Sequence, residues 1–146
     1  MCIKSLLIIH DEHNEDALVC IYRQYDGYPT SRGQEIKDIL NDGKVEITNG
    51  IRGSQFKEDE NQTKIKHNGM GELAAWVLMQ EKLQNPEGNV YLFPCIDEPD
   101  YGQEFEYHLY KDEKGGVRMQ VYGYGSEMFH GNVKNFDPVE VEKKAA

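Results

Sequence analysis

The sequence predicts an α+β fold: an antiparallel sheet of about five strands, running ββα, loop, αβββ along the chain, with two helices packed on one face. Three observations lead there. Two runs rich in Ile, Leu, Val and Tyr, residues 2–9 and 17–25, flank a polar turn. Residues 104–111 and 117–124 alternate apolar with polar, the mark of half-buried strands. Residues 32–41 and 70–83 carry helix-forming sequences with start and stop signals.

In chain order, the first two runs form a hairpin through His10-Asp11-Glu12-His13-Asn14-Glu15-Asp16. Both faces of the second strand are apolar in part, so it belongs inside the sheet. Asp26-Gly27-Tyr28-Pro29 is a turn by composition, and Ser31-x-x-Gln34 matches a capping box at a helix start. Ile36, Ile39 and Leu40 make the apolar stripe of that helix, and Gly43 suits its left-handed end. A short strand at 44–48 is expected to join the sheet edge. A polar stretch follows between Asn49-Gly50 and Asn68-Gly69, long enough to suggest a flap.

The second helix, apolar nearly all round from Leu73 to Met79, is expected to be well buried, with Asn68 as its cap. Strands at 90–95, 104–111 and 117–124 complete the sheet, the last two joined through 113–116. The segment from Tyr122 to Gly131 reads as strand packing with an irregular exit, with a pocket rim or oligomer contact as the alternative. Residues 1–136 are expected to form one domain and 137–146 a frayed tail.

Composition narrows the partners. Lys plus Arg number 16 against 26 Asp plus Glu in 146 residues, a formal charge of −10. Such a surface repels phosphate backbones and anionic membranes, so neither nucleic acid nor membrane is expected, and any small anion must meet a local basic pocket. Three widely spaced cysteines and no apolar run of spanning length predict reduced thiols in a cytoplasmic protein. No complete catalytic signature, metal-ligand set or phosphate loop occurs in the sequence, and no cofactor or metal is expected. The His10–Asp16 run carries metal-binding residue types without zinc spacing, which favours a solvated turn.

The densest chemistry is YRQYDGYPTSRG, residues 22–33. Arg23 at a strand end and Arg32 in the first turn of a helix could hold a phosphate together, because free N–H groups at a helix start already attract anions. Tyr22, Tyr25 and Tyr28 could stack on a base, Asp26 could accept from a ribose hydroxyl, and Asn68 and Met70 at the second helix start could face the same ligand. The alternative is equally simple: Tyr22 fills the core, Asp26 pairs with Arg23, and the turn redirects the chain.

In order and spacing, YRQYDGYPTSRG, TNGI at 48–51, NGMGELAA at 68–75 and EFEYHLY at 104–110 resemble a family of small proteins from bacteriophages and bacteria. Its members carry Gly-His where this chain has Ser31-Arg32. The resemblance implies a small accessory protein acting in the host cytoplasm, and leaves its chemistry to the residues. The expected function is non-enzymatic capture of a nucleotide or cyclic-nucleotide signal, in a pocket that a homo-oligomer could help to build. The alternatives are an acidic inhibitor of a host protein and a small nucleotide hydrolase with Asp26 or a histidine as base.

Overall fold

The computed structural model describes residues 2–49 and 64–145; most of the expected flap, including Arg52 and Phe56, lies outside them. The main sheet has six strands: β1 (Ser5–His10), β2 (Ala17–Arg23), β5 (Tyr91–Phe93), β6 (Phe105–Lys111), β7 (Val117–Gly123) and β8 (Ser126–Asn132). Across the sheet they run β5-β2-β1-β6-β7-β8. β3 (Val45–Thr48) and β4 (Ile65–Asn68) form a second, two-stranded sheet, while α1 (Gln34–Ile39), α2 (Gly69–Gln84) and α3 (Pro138–Lys143) are the α-helices.

Every neighbouring pair in the main sheet is antiparallel except β1 with β6, which runs parallel from Ser5↔Phe105 to Ile9↔Leu109. That seam corrects the expectation of a purely antiparallel sheet. It arises because the N-terminal hairpin and the β6–β7–β8 meander are separate units, and the intervening helices return the chain to the same end of the sheet.

Strand alternation sorts the residues. Leu7, Ile9, Ile21, Phe105, Tyr107, Leu109, Val117, Met119 and Val121 face the helices and join Ile36, Ile39 and Leu40 with Met70, Leu73 and Val77 in one core. Leu6, Ile8, Cys20 and Tyr22 face the other way, against Phe93 and Tyr101. The strand expected at the sheet edge pairs with β4 instead, and touches the main sheet where Ile47 N–H donates to Gly115 O at 2.6 Å.

Two helix starts differ from the capping expectations. A wide helical turn, Pro29–Gly33, precedes α1, so the helix begins at proline and Ser31 makes no capping bond. At α2 the Asn68 side chain caps nothing; the Met70 N–H donates to Glu12 Oε2 at 3.0 Å, from the hairpin turn. α2 is also less buried than its composition suggests, with Met79 and Leu83 exposed and Met70, Leu73, Ala74, Val77 and Glu81 facing inward.

The expected frayed tail is α3. Asp137 accepts from the Val139 and Glu140 N–H groups, Pro138 sits at the first helical position and Val141 enters the core. Side-chain ties hold it down as well: Glu142 Oε1 accepts from Thr30 N–H and Oγ1–H, and Lys144 Nζ donates to Met128 O. No helix among the described residues is long and apolar enough to cross a membrane.

Candidate functional site

The YRQYDGYPTSRG residues disperse to different places. Alternation along β2 puts Tyr22 and Arg23 on opposite faces of the sheet, and Tyr22 stacks on Phe93 with centroids 4.4 Å apart. Tyr25 and Asp26 are exposed at the turn, where Asp26 has φ 58°. Asp26 does not pair with Arg23; the Asn89 side chain anchors the turn by accepting from the Gln24 and Tyr25 N–H groups at 2.9 and 2.8 Å. Tyr28 lines an open groove of about 530 Å³ with Ile3, Phe105, Tyr124 and Val139. Met70 is fully buried, and Asn68 lies beside the helix start that Glu12 has already capped.

Arg23 and Arg32 do converge on an anion, and that anion is the carboxylate of Glu81. Arg32 is fully buried and grips Glu81 in a fork, Nε to Oε2 at 3.1 Å and Nη2 to Oε1 at 2.9 Å. Its remaining donors go to Ser5 O, Ser5 Oγ and Ile21 O. Arg23 Nη1 donates to Glu81 Oε2 at 3.1 Å and to Glu35 Oε2 at 2.9 Å. Burial works against the Arg23 charge, but these two carboxylates outweigh it and hold its pKa above the ordinary value.

Two guanidinium groups therefore meet two carboxylates under the sheet, a balanced set that joins β2, α1, α2 and the helical turn. Every Arg32 nitrogen is committed within the chain, and the Arg23 Nε, which has no hydrogen-bond partner, is buried, so neither arginine presents a donor at the surface to an external phosphate. The turn is also locked from above: the buried Tyr107 hydroxyl donates to Gly27 O at 2.7 Å, and burial pushes this phenol far above its ordinary range.

A different surface gathers chemistry in the open. On the sheet face away from the helices, residues 94–104 cover the β5–β2 side, with the Tyr101 hydroxyl donating to Pro94 O at 2.8 Å. The other half presents His10 from β1, Glu106, His108 and Tyr110 from β6, Arg118, Gln120 and Tyr122 from β7, and Glu127 and His130 from β8. Their rings form a chain. Arg118 lies 4.3 Å from the Tyr110 centroid, Tyr110 stacks on His10 at 4.1 Å, His10 on His108 at 5.1 Å, and Tyr122 meets His108 edge-on at 5.7 Å.

Hydrogen bonds run along the same chain. His10 Nδ1 lies 2.8 Å from Glu15 O, His10 Nε2 2.8 Å from His108 Nδ1, and His108 Nε2 3.2 Å from Glu106 Oε1. Arg118 Nη2 donates to Glu15 Oε2 at 3.0 Å, and Nη1 donates to His130 Nε2. The His108 bond, first, holds the Glu106 carboxyl below its ordinary pKa, and burial chiefly holds His10 below 6.5. At one end the face opens into a groove of about 400 Å³ lined by Glu98, Pro99, Glu106, Tyr122 and Gly125.

This constellation offers partly exposed ring edges, ring N–H and O–H groups, and the cation of Arg118, whose partner Glu15 is exposed and only weakly holding. Groups of these kinds stack on planar rings and donate hydrogen bonds to anions. A signal for the constellation existed in the sequence: the solvent-facing positions of two alternating strands carry His, Tyr and Arg where a plain surface strand carries Lys, Thr or Glu. Among the described residues no group of three or more His, Cys, Asp or Glu could hold a metal. Comparisons with protein-family models, curated proteins and solved structures return no match to this chain.

Proposed function

We propose that the protein is a non-enzymatic binder of a small, planar, anionic ligand of nucleotide type, and that the ligand rests on the open sheet face rather than on the YRQYDGYPTSRG turn. The observation that carries this reading is the chain Arg118–Tyr110–His10–His108–Tyr122, five functional side chains in mutual contact on the partly exposed half of the sheet. In a chain of net charge −10 this face sets one arginine, three histidines and two tyrosines among the carboxylates of Glu15, Glu106 and Glu127, so an anion would be held by directed N–H and O–H donors and ring faces rather than by net positive charge. Capture of a nucleotide signal in a host cytoplasm is consistent with the motif resemblance.

Thermal-shift and calorimetric screening with a nucleotide panel tests it. A true ligand at a hundred times its Kd stabilises the fold by about 2.7 kcal/mol, and Arg118→Gln should weaken binding by about tenfold or more. No response to any nucleotide at millimolar concentration refutes the reading. Turnover of the bound nucleotide, read by chromatography, would instead favour the hydrolase alternative, with His10 or His108 as base.

A second reading has its own observation. Leu18, Tyr91, Leu92 and Ile96 are exposed around the β5 edge, a short strand with one unpaired side. They favour contact with a host protein or a second copy of this chain. Light scattering across a concentration series and pull-down from host lysate separate those two outcomes.

A further inference from the structure

Counting hydrogens along the His10–His108 contact leads to a regulatory property of the proposed site, and rests on that reading. A carbonyl oxygen only accepts, so His10 Nδ1, 2.8 Å from Glu15 O, carries its hydrogen. Between His10 Nε2 and His108 Nδ1, 2.8 Å apart, one nitrogen must donate and the other accept. His108 Nε2 faces the carboxylate of Glu106, another acceptor, at 3.2 Å. All three contacts are hydrogen bonds together when the two rings share three ring hydrogens, one imidazole neutral and the other charged; burial disfavours the charge on His10 and the Glu106 carboxylate favours it on His108, which leaves His10 Nε2 bare.

A second proton has one destination, His10 Nε2, and there it would confront the His108 Nδ1–H across 2.8 Å. The pair then parts, leaving two imidazolium N–H groups free to turn outward. The charged and titratable groups facing them are Glu15 from the hairpin turn, Glu106 and Tyr110 from β6, and Arg118 and Tyr122 from β7, with Glu127 and His130 of β8 beyond. Without a ligand, burial and the charges of His108 and Arg118 oppose that second proton.

We propose that the open sheet face takes its anion together with one proton: the proton passes from solvent to His10 Nε2, the His10–His108 hydrogen bond opens, and the two imidazolium groups and Arg118 hold the anion. Binding is then tighter in mildly acidic solution than at neutral pH. One coupled proton changes affinity by at most about tenfold per pH unit.

The probe is 3′,5′-cyclic AMP, a phosphodiester whose charge stays fixed where a monoester, with its second pKa of about 6, would itself titrate. Calorimetry at about pH 6 in two buffers of different ionisation enthalpy counts the protons. The expected result is uptake of roughly one proton, with His10→Gln and His10→Asn each binding without uptake and with flat pH dependence. Binding by the wild-type protein with no proton uptake overturns the coupling and leaves the binding face standing. No heat from cyclic AMP or inorganic phosphate at any pH overturns both. A ligand-free readout is independent of either: nitrogen NMR of the imidazoles should find hydrogens on His10 Nδ1 and His108 Nε2 and a third shared across the contact between the rings. Two neutral rings titrating separately overturn the proposal.

Discussion

Replacing Glu81 with Gln tests what holds the helices to the sheet. Glu81 is fully buried and accepts three charge-assisted hydrogen bonds, two from Arg32 and one from Arg23. Glutamine has the same shape, but its amide N–H₂ turns a donor toward guanidinium donors and removes the charge that balances them. Arg23 keeps Glu35; Arg32 keeps Ser5, the Ile21 carbonyl and at most the amide oxygen, and loses the two-oxygen fork and its counter-charge. Removing one partner of a buried ion pair costs about 3–5 kcal/mol, set against a typical total stability of about 5–15 kcal/mol. In thermal terms the melting temperature should fall on the order of 15 °C. Urea denaturation followed by circular dichroism measures the loss. The double variant Arg32→Met with Glu81→Leu removes both charges and should return to within about 2 kcal/mol of the wild type. A Glu81→Gln protein within about 1 kcal/mol of the wild type would refute the account. One corollary concerns ligand assays: loss of binding in an Arg32 variant would report a weakened fold, so Arg118 is the position to substitute.

Gly27→Ala should destabilise by about 1–3 kcal/mol, because a Cβ there would lie 2.7 Å from Ser5 Cβ and 2.8 Å from Ile3 O; unchanged urea stability would contradict this packing. Stability should fall in two stages on acidification. The pKa of His10 is lowered in the fold, so below about 6.5 the unfolded chain binds more protons and stability drops. The Glu106 pKa is lowered too, so its contribution is complete above 4.5 and disappears as pH falls through the folded value. An unchanged urea midpoint from about pH 7 to about pH 5 would refute the first stage. In a thiol-reagent assay, Cys2 and Cys95, both exposed, should react promptly, whereas Cys20 is buried with its thiol pushed up to about 11 and should react only on unfolding; three fast thiols would overturn its burial.

Much of the fold could be read from local pattern. The β1–β2 hairpin, the β6–β7 pair, α1 and α2 lie where periodicity and breakers put them, within a few residues. β8 was harder, because Tyr124 and Gly125, at φ 51° and 83°, make a two-residue hairpin turn inside a run that reads as aromatic and glycine-rich. α3 was missed because PVEVEK shows no apolar stripe of helical period, and beyond the local Asp137 cap it is held by Val141 in the core and by the Glu142 bond to Thr30, 112 positions away.

The site was least legible, for a physical reason. Arg23, Arg32 and Asp26 have the chemistry of a ligand site whether their partner is a phosphate or a carboxylate of the same chain, and only tertiary structure decides. The clue was Glu81, a charged residue at the inward stripe position four after Val77. His10 and His108 lie 98 positions apart, so no local motif could have joined them.

The parallel seam between β1 and β6 also sets a schedule for the chain's birth. Ser5 pairs with Phe105, a separation of 105 − 5 = 100 residues, and at about 5–20 residues per second a ribosome needs on the order of 5–20 s between them. Through that interval β1 has β2 on one side and a bare edge on the other, with Leu7 and Ile9 on the face that the helices will cover. The two halves of the sheet thus cannot join until β6 emerges, and until then the open edge of the nascent hairpin is a surface to be kept from its neighbours.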